Sequence, residues 1–284
     1  MSTLHIILGP TAVGKSDYAV AEAFRVGSPV VSCDSRQFYR ELRIGTARPS
    51  DAQLATVQHY FIADRSVTEP CSAGAFELEA LALLERLFRD HDTVVMAGGS
   101  GLYIDALCNG LDDFPAADPV LRAELSRRLR EEGVAALRTE LRILDPASYA
   151  AIDPANGQRI VRALEVTIGT GRPYSDWKTH SAKQRPFTIV KTGLTRPRPE
   201  LYARIDARVD AMLEEGLVEE ARSLLPHRDL PALNTVGYKE LFGYFDGEYD
   251  QAEAVRLIKR NTRHYAKKQM TWWGRDPEIN WITL

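Results

Sequence analysis

Eight residues near the start of the chain, Gly9-Pro10-Thr11-Ala12-Val13-Gly14-Lys15-Ser16, carry the spacing G-x-x-x-x-G-K-[ST]. A loop of this kind holds a chain of phosphates. Gly9 and Gly14 let the backbone curl so that its N–H groups converge on an anion. Lys15 brings a mobile cation, and the Ser16 hydroxyl can join the shell of a magnesium ion. A second candidate group is Asp34, which follows the apolar run Pro29-Val30-Val31-Ser32-Cys33. An acid at a strand's C-terminal end can hold a metal-bound water or take a proton from a nucleophile. It can also cap the segment from Ser35 to Tyr39, and the two roles are compatible. The acid usual in a hydrolytic P-loop site is missing, because Thr93-Val94-Val95-Met96-Ala97 runs into Gly98 where an aspartate would help hold magnesium.

Further candidates lie downstream. Gly98-Gly99-Ser100-Gly101 opens a helical pattern, and Ser100 reads either as its cap, the simpler reading taken alone, or as a donor to a substrate. Arg204 and Arg208, at i and i+4, either reach a ligand or pair with Asp206 and Asp210 on a solvated face. Arg159 and Arg162 share a face opposite Ile160, Ala163 and Leu164, and with Arg122 and Arg127 they would make one side of their region basic. The last helical pattern carries Arg256, Lys259, Arg260, Arg263, Lys267 and Lys268 with no acid after Glu253. With Tyr265, Trp272 and Trp273 interleaved, it reads as a phosphate-tracking surface with stacking platforms.

The elements that must position these groups follow from periodicity. His5-Ile6-Ile7-Leu8 is a strand before the loop, and Tyr18, Ala19, Ala21, Ala23 and Phe24 mark a helix after it. Strands at 29–33 and 93–97 alternate with a helix from Ala75 to Phe88, which predicts an α/β fold: a P-loop NTPase-like core with a parallel sheet flanked by helices. From Phe114 the texture changes. Asp118-Pro119, Asp145-Pro146 and Asp153-Pro154 open short helices, another runs from Gly157 to Ile168, and no strand returns before Thr188. The expected organisation is a discontinuous core, 1–113 and 187–284, with an inserted all-helical lobe at 114–186. Helices are expected from Pro197 to Gly216, Val218 to Leu225, Val236 to Phe245 and Gln251 to Trp273.

A net charge of -3 offers no global attraction to nucleic acid, so any basic surface must be local. Cys33, Cys71 and Cys108 are odd in number and widely spaced, which fits reduced thiols and neither a disulfide frame nor a zinc site. No apolar run reaches the roughly 18 residues that span a bilayer, and the first residues enter a strand directly. The expectation is a cytoplasmic monomer with no membrane contact.

Several stretches together resemble one family, the tRNA dimethylallyltransferases (tRNA isopentenyltransferases). They are the phosphate loop, Asp34-Ser35-Arg36-Gln37 with Tyr39, Ile44-Gly45-Thr46-Ala47-Arg48-Pro49, and Gly98-Gly99-Ser100-Gly101-Leu102-Tyr103. Gln158-Arg159-Ile160-Val161-Arg162-Ala163-Leu164-Glu165, Arg204-Ile205-Asp206-Ala207-Arg208-Val209, Val236-Gly237-Tyr238-Lys239-Glu240 and Lys267-Lys268-Gln269-Met270-Thr271-Trp272 complete the series. They span nearly the whole chain in family order. The resemblance implies prenyl transfer from dimethylallyl diphosphate to the exocyclic amine of the adenine just 3′ of the anticodon, in tRNAs reading codons that begin with U. It makes the loop a diphosphate cradle with Mg2+ as cofactor, Asp34 the general base, and Lys15 and Arg208 the groups on the leaving diphosphate. Ser35 to Gln37 would help hold the adenine, and Ser100, Arg122, Gln158 to Arg162, and the segment Asn234, Thr235, Val236, Gly237, Tyr238 and Lys239 would contact the tRNA anticodon stem-loop. The chain stops soon after Ile279-Asn280-Trp281-Ile282 without the zinc-finger extension of eukaryotic relatives, which suggests the bacterial type. Other readings are an adenylate isopentenyltransferase acting on free nucleotide, a P-loop kinase, and a tRNA-binding module without catalysis.

Overall fold

The computed structural model describes residues 2–115, 118–179 and 182–284. Strand β1 (Thr3–Leu8) leads through the glycine loop into helix α1 (Lys15–Val26), followed by β2 (Val30–Ser32), α2 (Asp51–Thr56), β3 (His59–Tyr60), α3 (Ala73–Leu87), β4 (Thr93–Gly98) and α4 (Gly101–Asn109). Four further helices, α5 (Pro119–Glu131), α6 (Val134–Leu144), α7 (Pro146–Ala151) and α8 (Gly157–Thr170), precede β5 (Thr188–Thr195). The chain ends with α9 (Arg198–Glu214), α10 (Leu217–Ser223), α11 (Tyr238–Phe245), α12 (Gln251–Trp273) and β6 (Ile279–Thr283).

The six strands form one parallel sheet in the order β3-β2-β4-β1-β5-β6. Both faces are covered, as a parallel sheet requires. Leu4, Ile6 and Leu8 of β1 pack with Val94, Met96, Phe76 and Leu84 on one side, while Ile7 packs with Val95, Ala19, Ala23, Leu201 and Ile205 on the other. The register aligns the C-terminal ends. Leu8 lies opposite Gly98 and Gly193, and Ser32 opposite Ala97, so the loops after β1, β2 and β4 emerge at one edge, where α/β sheets bind ligands. The two-residue β3 was not expected from the sequence, because His59–Tyr60 carries no apolar run.

The chain divides into two compact units, Met1–Gly110 with Gln184–Leu284, and Leu111–Lys183. The second unit is all-helical among its described residues and begins at 111 where the sequence reading placed 114. The Asp118 carboxylate caps α5 by accepting the Val120 and Leu121 N–H groups at 2.9 and 3.2 Å. Its core is Leu125, Leu137, Leu141, Ile152, Ile160, Val161 and Leu164. Of the residues expected at the tRNA surface, Ile160 and Val161 have their side chains inside this core. The expected basic face is also reduced. Arg127 pairs with Glu124 and Glu131 along α5, and Arg128 with Glu132 and Glu140. Arg122 and Arg162 converge on the buried Glu165 carboxylate at 2.6 and 3.1 Å, so their first task is to neutralise a charge the lobe has buried. Gln158 and Arg159 stay exposed on the first turn of α8.

Candidate active site

The phosphate loop is held open by its backbone angles. Gly9, Ala12 and Gly14 have φ of 149°, 65° and 112°. A Cβ on Gly9 would stand 2.6 Å from the Leu194 carbonyl, so the position admits only glycine. Gly14 starts α1 without a side-chain cap, which leaves the first-turn N–H groups facing an incoming anion with the helix dipole behind them. Two arginines fix the loop through its carbonyls. Arg204 Nε donates to Ala12 O at 2.9 Å and Arg196 Nε to Val13 O at 2.8 Å. Arg204 therefore braces the cradle, and the alternative that Asp206 and Asp210 pair with the arginines of their own helix is wrong. Those acids take Arg263 and Lys259 of α12 at 2.5 and 2.6 Å.

Lys15 Nζ rests on the Pro10 carbonyl at 2.9 Å. Burial pulls its ammonium down to about 8, with Asp34 opposing that shift and Arg208 adding to it. Arg208 lines the same cleft, and burial lowers its guanidinium too, helped by Arg204 and opposed by Asp17. Two cations held partly desolvated beside a phosphate loop form a site that gains most when a polyanion enters.

Across the cleft stands the turn after β2. The Asp34 carboxylate accepts the Arg36 N–H at 3.0 Å, and Gln37 N–H closes on the Asp34 carbonyl at 3.1 Å. Asp34 thus caps its own turn and still lines the cleft. Gln37 Nε2 donates to the Thr46 and Ala47 carbonyls at 3.2 Å each, which fixes the far wall. Ser100 stands at the N-cap position of α4, but its side chain makes no capping bond there. Its Oγ accepts the Ser35 N–H at 2.9 Å and bonds Ser35 Oγ at 3.1 Å, tying the turn after β2 to the turn after β4. At the end of β4 a carboxylate is sterically forbidden, since a Cβ on Gly98 would meet the Cys33 backbone and sulfur at 2.6 Å.

The cleft between these parts is about 660 Å3 and brings together Thr11, Lys15, Ser16, Asp34, Gln37 and Arg208, with Tyr265 and Gln269 of α12. Sequence reasoning missed Gln269 as a site residue, although the motif that contains it was noticed. It also missed Glu220. That carboxylate accepts the Arg43, Ile44 and Gly45 N–H groups at 3.1, 2.8 and 3.0 Å and the Tyr238 hydroxyl at 2.6 Å, and so shapes the cleft wall from α10. No sequence motif marks Glu220. Tyr238, expected to meet tRNA, is fully buried with its ring against Gly45. Around it Asn234 and Lys239 are exposed, Thr235 and Val236 half-buried and Gly237 buried.

The expected platform on α12 is also smaller than the sequence implies. Arg256 pairs with Glu253, Lys259 and Arg263 are taken by α9, and Trp273 is buried in the core. Lys267 and Lys268 are exposed and enter no ion pair among the described residues, and Tyr265 and Trp272 are partly exposed. Among the described residues no cluster of three or more His, Cys, Asp and Glu stands ready for a metal, and no helix is long and apolar enough to cross a membrane. A hydroxyl from Ser16 and a carboxylate from Asp34 on one cleft fit a magnesium ion that takes most of its ligands from phosphate and water.

The family model described as IPP transferase matches residues 37–276. The match starts beyond the phosphate loop and Asp34, but whole-length relatives include both. A tRNA dimethylallyltransferase of Porphyromonas gingivalis is 53% identical over 280 residues, covering 99% of this chain and 93% of the relative. The crystal structure of a tRNA isopentenylpyrophosphate transferase from Bacillus halodurans is 36% identical, with a TM-score of 0.73, and the match covers 100% of this chain and 90% of that one. A eukaryotic dimethylallyltransferase solved acting on tRNA shares the fold, with a TM-score of 0.82 at 22% identity over 100% of this chain and 74% of its own. With a family model matching most of its length and a relative more than half identical along nearly all of it, the chain belongs to the IPP transferase family.

Proposed function

We infer that this chain is a tRNA dimethylallyltransferase. It moves the dimethylallyl group of dimethylallyl diphosphate onto the exocyclic amine of an adenine in tRNA and releases diphosphate. The observation that carries the reading is a single cleft with a phosphate loop, Lys15 and Arg208 on one side and the Asp34 turn on the other. The names of relatives about half identical over nearly the full chain support tRNA as the acceptor. The family resemblance supports the adenine 3′ of the anticodon in tRNAs that read codons beginning with U.

The chemistry follows from the residues. As the amine nitrogen bonds to the allylic carbon, the carbon–oxygen bond to diphosphate breaks and negative charge gathers on the leaving oxygens. The loop N–H groups, Lys15 and Arg208 stabilise that charge in a partly desolvated site. Asp34 accepts the proton that the amine sheds, since an aryl amine is a poor nucleophile until it loses one. Magnesium, held through Ser16 and the diphosphate, would add charge neutralisation of the leaving group. The target base must leave its stack to reach Asp34. Exposed Gln158, Arg159, Asn234, Lys239, Lys267 and Lys268 are the groups we assign to the tRNA surface, mainly through phosphate and shape. The closed Gly98 position, which bars the acid usual at that strand end in hydrolytic P-loop sites, counts against a kinase. We further assign the protein to the cytoplasm as a monomer.

The test is to incubate the protein with labelled dimethylallyl diphosphate, magnesium and bulk tRNA and to digest the product. A prenylated adenosine is expected. Asp34→Asn should lower turnover by roughly 100-fold or more with tRNA affinity retained, and unchanged turnover would remove Asp34 from the role of base.

A further inference from the structure

Helix α12 reaches the cleft with one buried polar side chain, Gln269, which is 5% exposed. Its Oε1 accepts the Thr11 N–H at 2.8 Å, and its Nε2 donates to the Gly99 carbonyl at 2.9 Å. Those bonds join loops that follow different strands: Thr11 lies in the phosphate loop after β1, and Gly99 in the turn after β4. The connection continues through Ser100, whose Oγ holds the Ser35 N–H at 2.9 Å and the Ser35 hydroxyl at 3.1 Å, next to Asp34. A buried carboxamide costs free energy unless both of its ends are bonded, and here both are. Position 99 is shaped for it, because a Cβ there would collide with Gln269 Nε2.

We propose that Gln269 is a positioning residue that sets the spacing between the phosphate loop and the Asp34 turn. It thereby aligns the attacking amine with the breaking carbon–oxygen bond. The proposal rests on the prenyl-transfer reading above. Each half of the cleft keeps its own ligand contacts without the brace, so both KM values change little. The loss falls on kcat, because a misplacement of about 1 Å between reacting groups costs on the order of 100-fold.

Two full-chain variants break the brace by different routes. Gln269→Met keeps the volume and removes both bonds, whereas Gly99→Ala leaves Gln269 intact and pushes its carboxamide aside. For each, kcat, the KM for dimethylallyl diphosphate, the KM for tRNA and the thermal midpoint are measured, together with Ser100→Ala and the Gln269→Met/Ser100→Ala pair. Both single variants should lower kcat by roughly 30- to 100-fold, with each KM within about threefold of the parent. The pair should be no slower than its slower member, because both changes interrupt one series of contacts. A folded Gln269→Met protein with kcat within about twofold of the parent overturns the proposal, and so does a multiplicative loss in the pair. If Gln269→Met fails to fold, Gly99→Ala decides on the same kcat criterion. A parent chain that transfers nothing to tRNA overturns the prenyl-transfer reading and the brace with it, whereas a parent that transfers normally beside unaffected variants overturns the brace alone.

Discussion

Lys15 is the residue whose environment makes the sharpest demand on chemistry. Burial and Arg208 hold its ammonium near 8 against the pull of Asp34, so in the free protein its charge leaves as pH rises through about 8. The charged form is the one that meets diphosphate. The kcat/KM for dimethylallyl diphosphate should therefore fall above that pH, by about tenfold per unit for a single group. Arg208→Gln removes one cause of the depression, so it should move the falling limb to higher pH while weakening donor binding at neutral pH. A limb that stays in place would mean that Arg208 does not face Lys15. The stability sign is separate. With its folded value below the ordinary 10.5, Lys15 binds fewer protons folded than unfolded between about pH 8 and 10.5, so its contribution to stability rises with pH across that window and is lost as pH falls through about 8. At this scale the sequence was informative where a residue's task is local. The G-x-x-x-x-G-K-[ST] spacing and the acid after β2 both stand on the cleft. The bond from Ser100 to Ser35 could not be read in the sequence, because the two are brought together only by the parallel pairing of β2 with β4.

At the scale of elements, the cleft wall from Arg43 to Pro49 has little regular structure, and it is fixed by Glu220 on α10. Three successive N–H groups and the Tyr238 hydroxyl converge on that one carboxylate. Glu220→Ala should cost about 2–4 kcal/mol, since it strands several charge-assisted bonds at once. Tyr238→Phe keeps the packing against Gly45 and should cost about 1 kcal/mol. Denaturant melts of the two variants check the ranking, and equal costs would show that Glu220 does not organise the wall. This anchor could not be read from the chain: an acid among Glu214, Glu215, Glu219 and Glu220 looks like solvated helix charge until the fold delivers a loop from far upstream. Most of the helices were legible, because Asp-Pro starts and glycine stops are local signals. But α2 and α6 were not expected, and Asp153-Pro154 lies in a turn before α8 and opens no helix of its own. The two-residue β3 was not legible, because a short edge strand is made by its neighbour.

For the whole molecule, the charge on α12 divides into two sets. Lys259 and Arg263 hold α9, so replacing them should lower stability more than tRNA binding. Lys267 and Lys268 are exposed without ion-pair partners among the described residues, and the double alanine variant should raise the KM for tRNA. It should also flatten the dependence of log affinity on log salt by about 0.7–0.9 per lost phosphate contact. An unaltered slope would remove them from the tRNA surface. Counting cations along the sequence overstated this surface because their partners, Asp206 and Asp210, lie on another helix. The central claim is that one cleft joins a diphosphate cradle to a base that acts on an adenine delivered by tRNA. The most direct test offers the protein labelled dimethylallyl diphosphate with an anticodon stem-loop and with AMP, in separate reactions. Label should enter the stem-loop adenosine and leave AMP unmodified, whereas label in AMP with none in the stem-loop, or no transfer to either or to intact tRNA, would contradict the account.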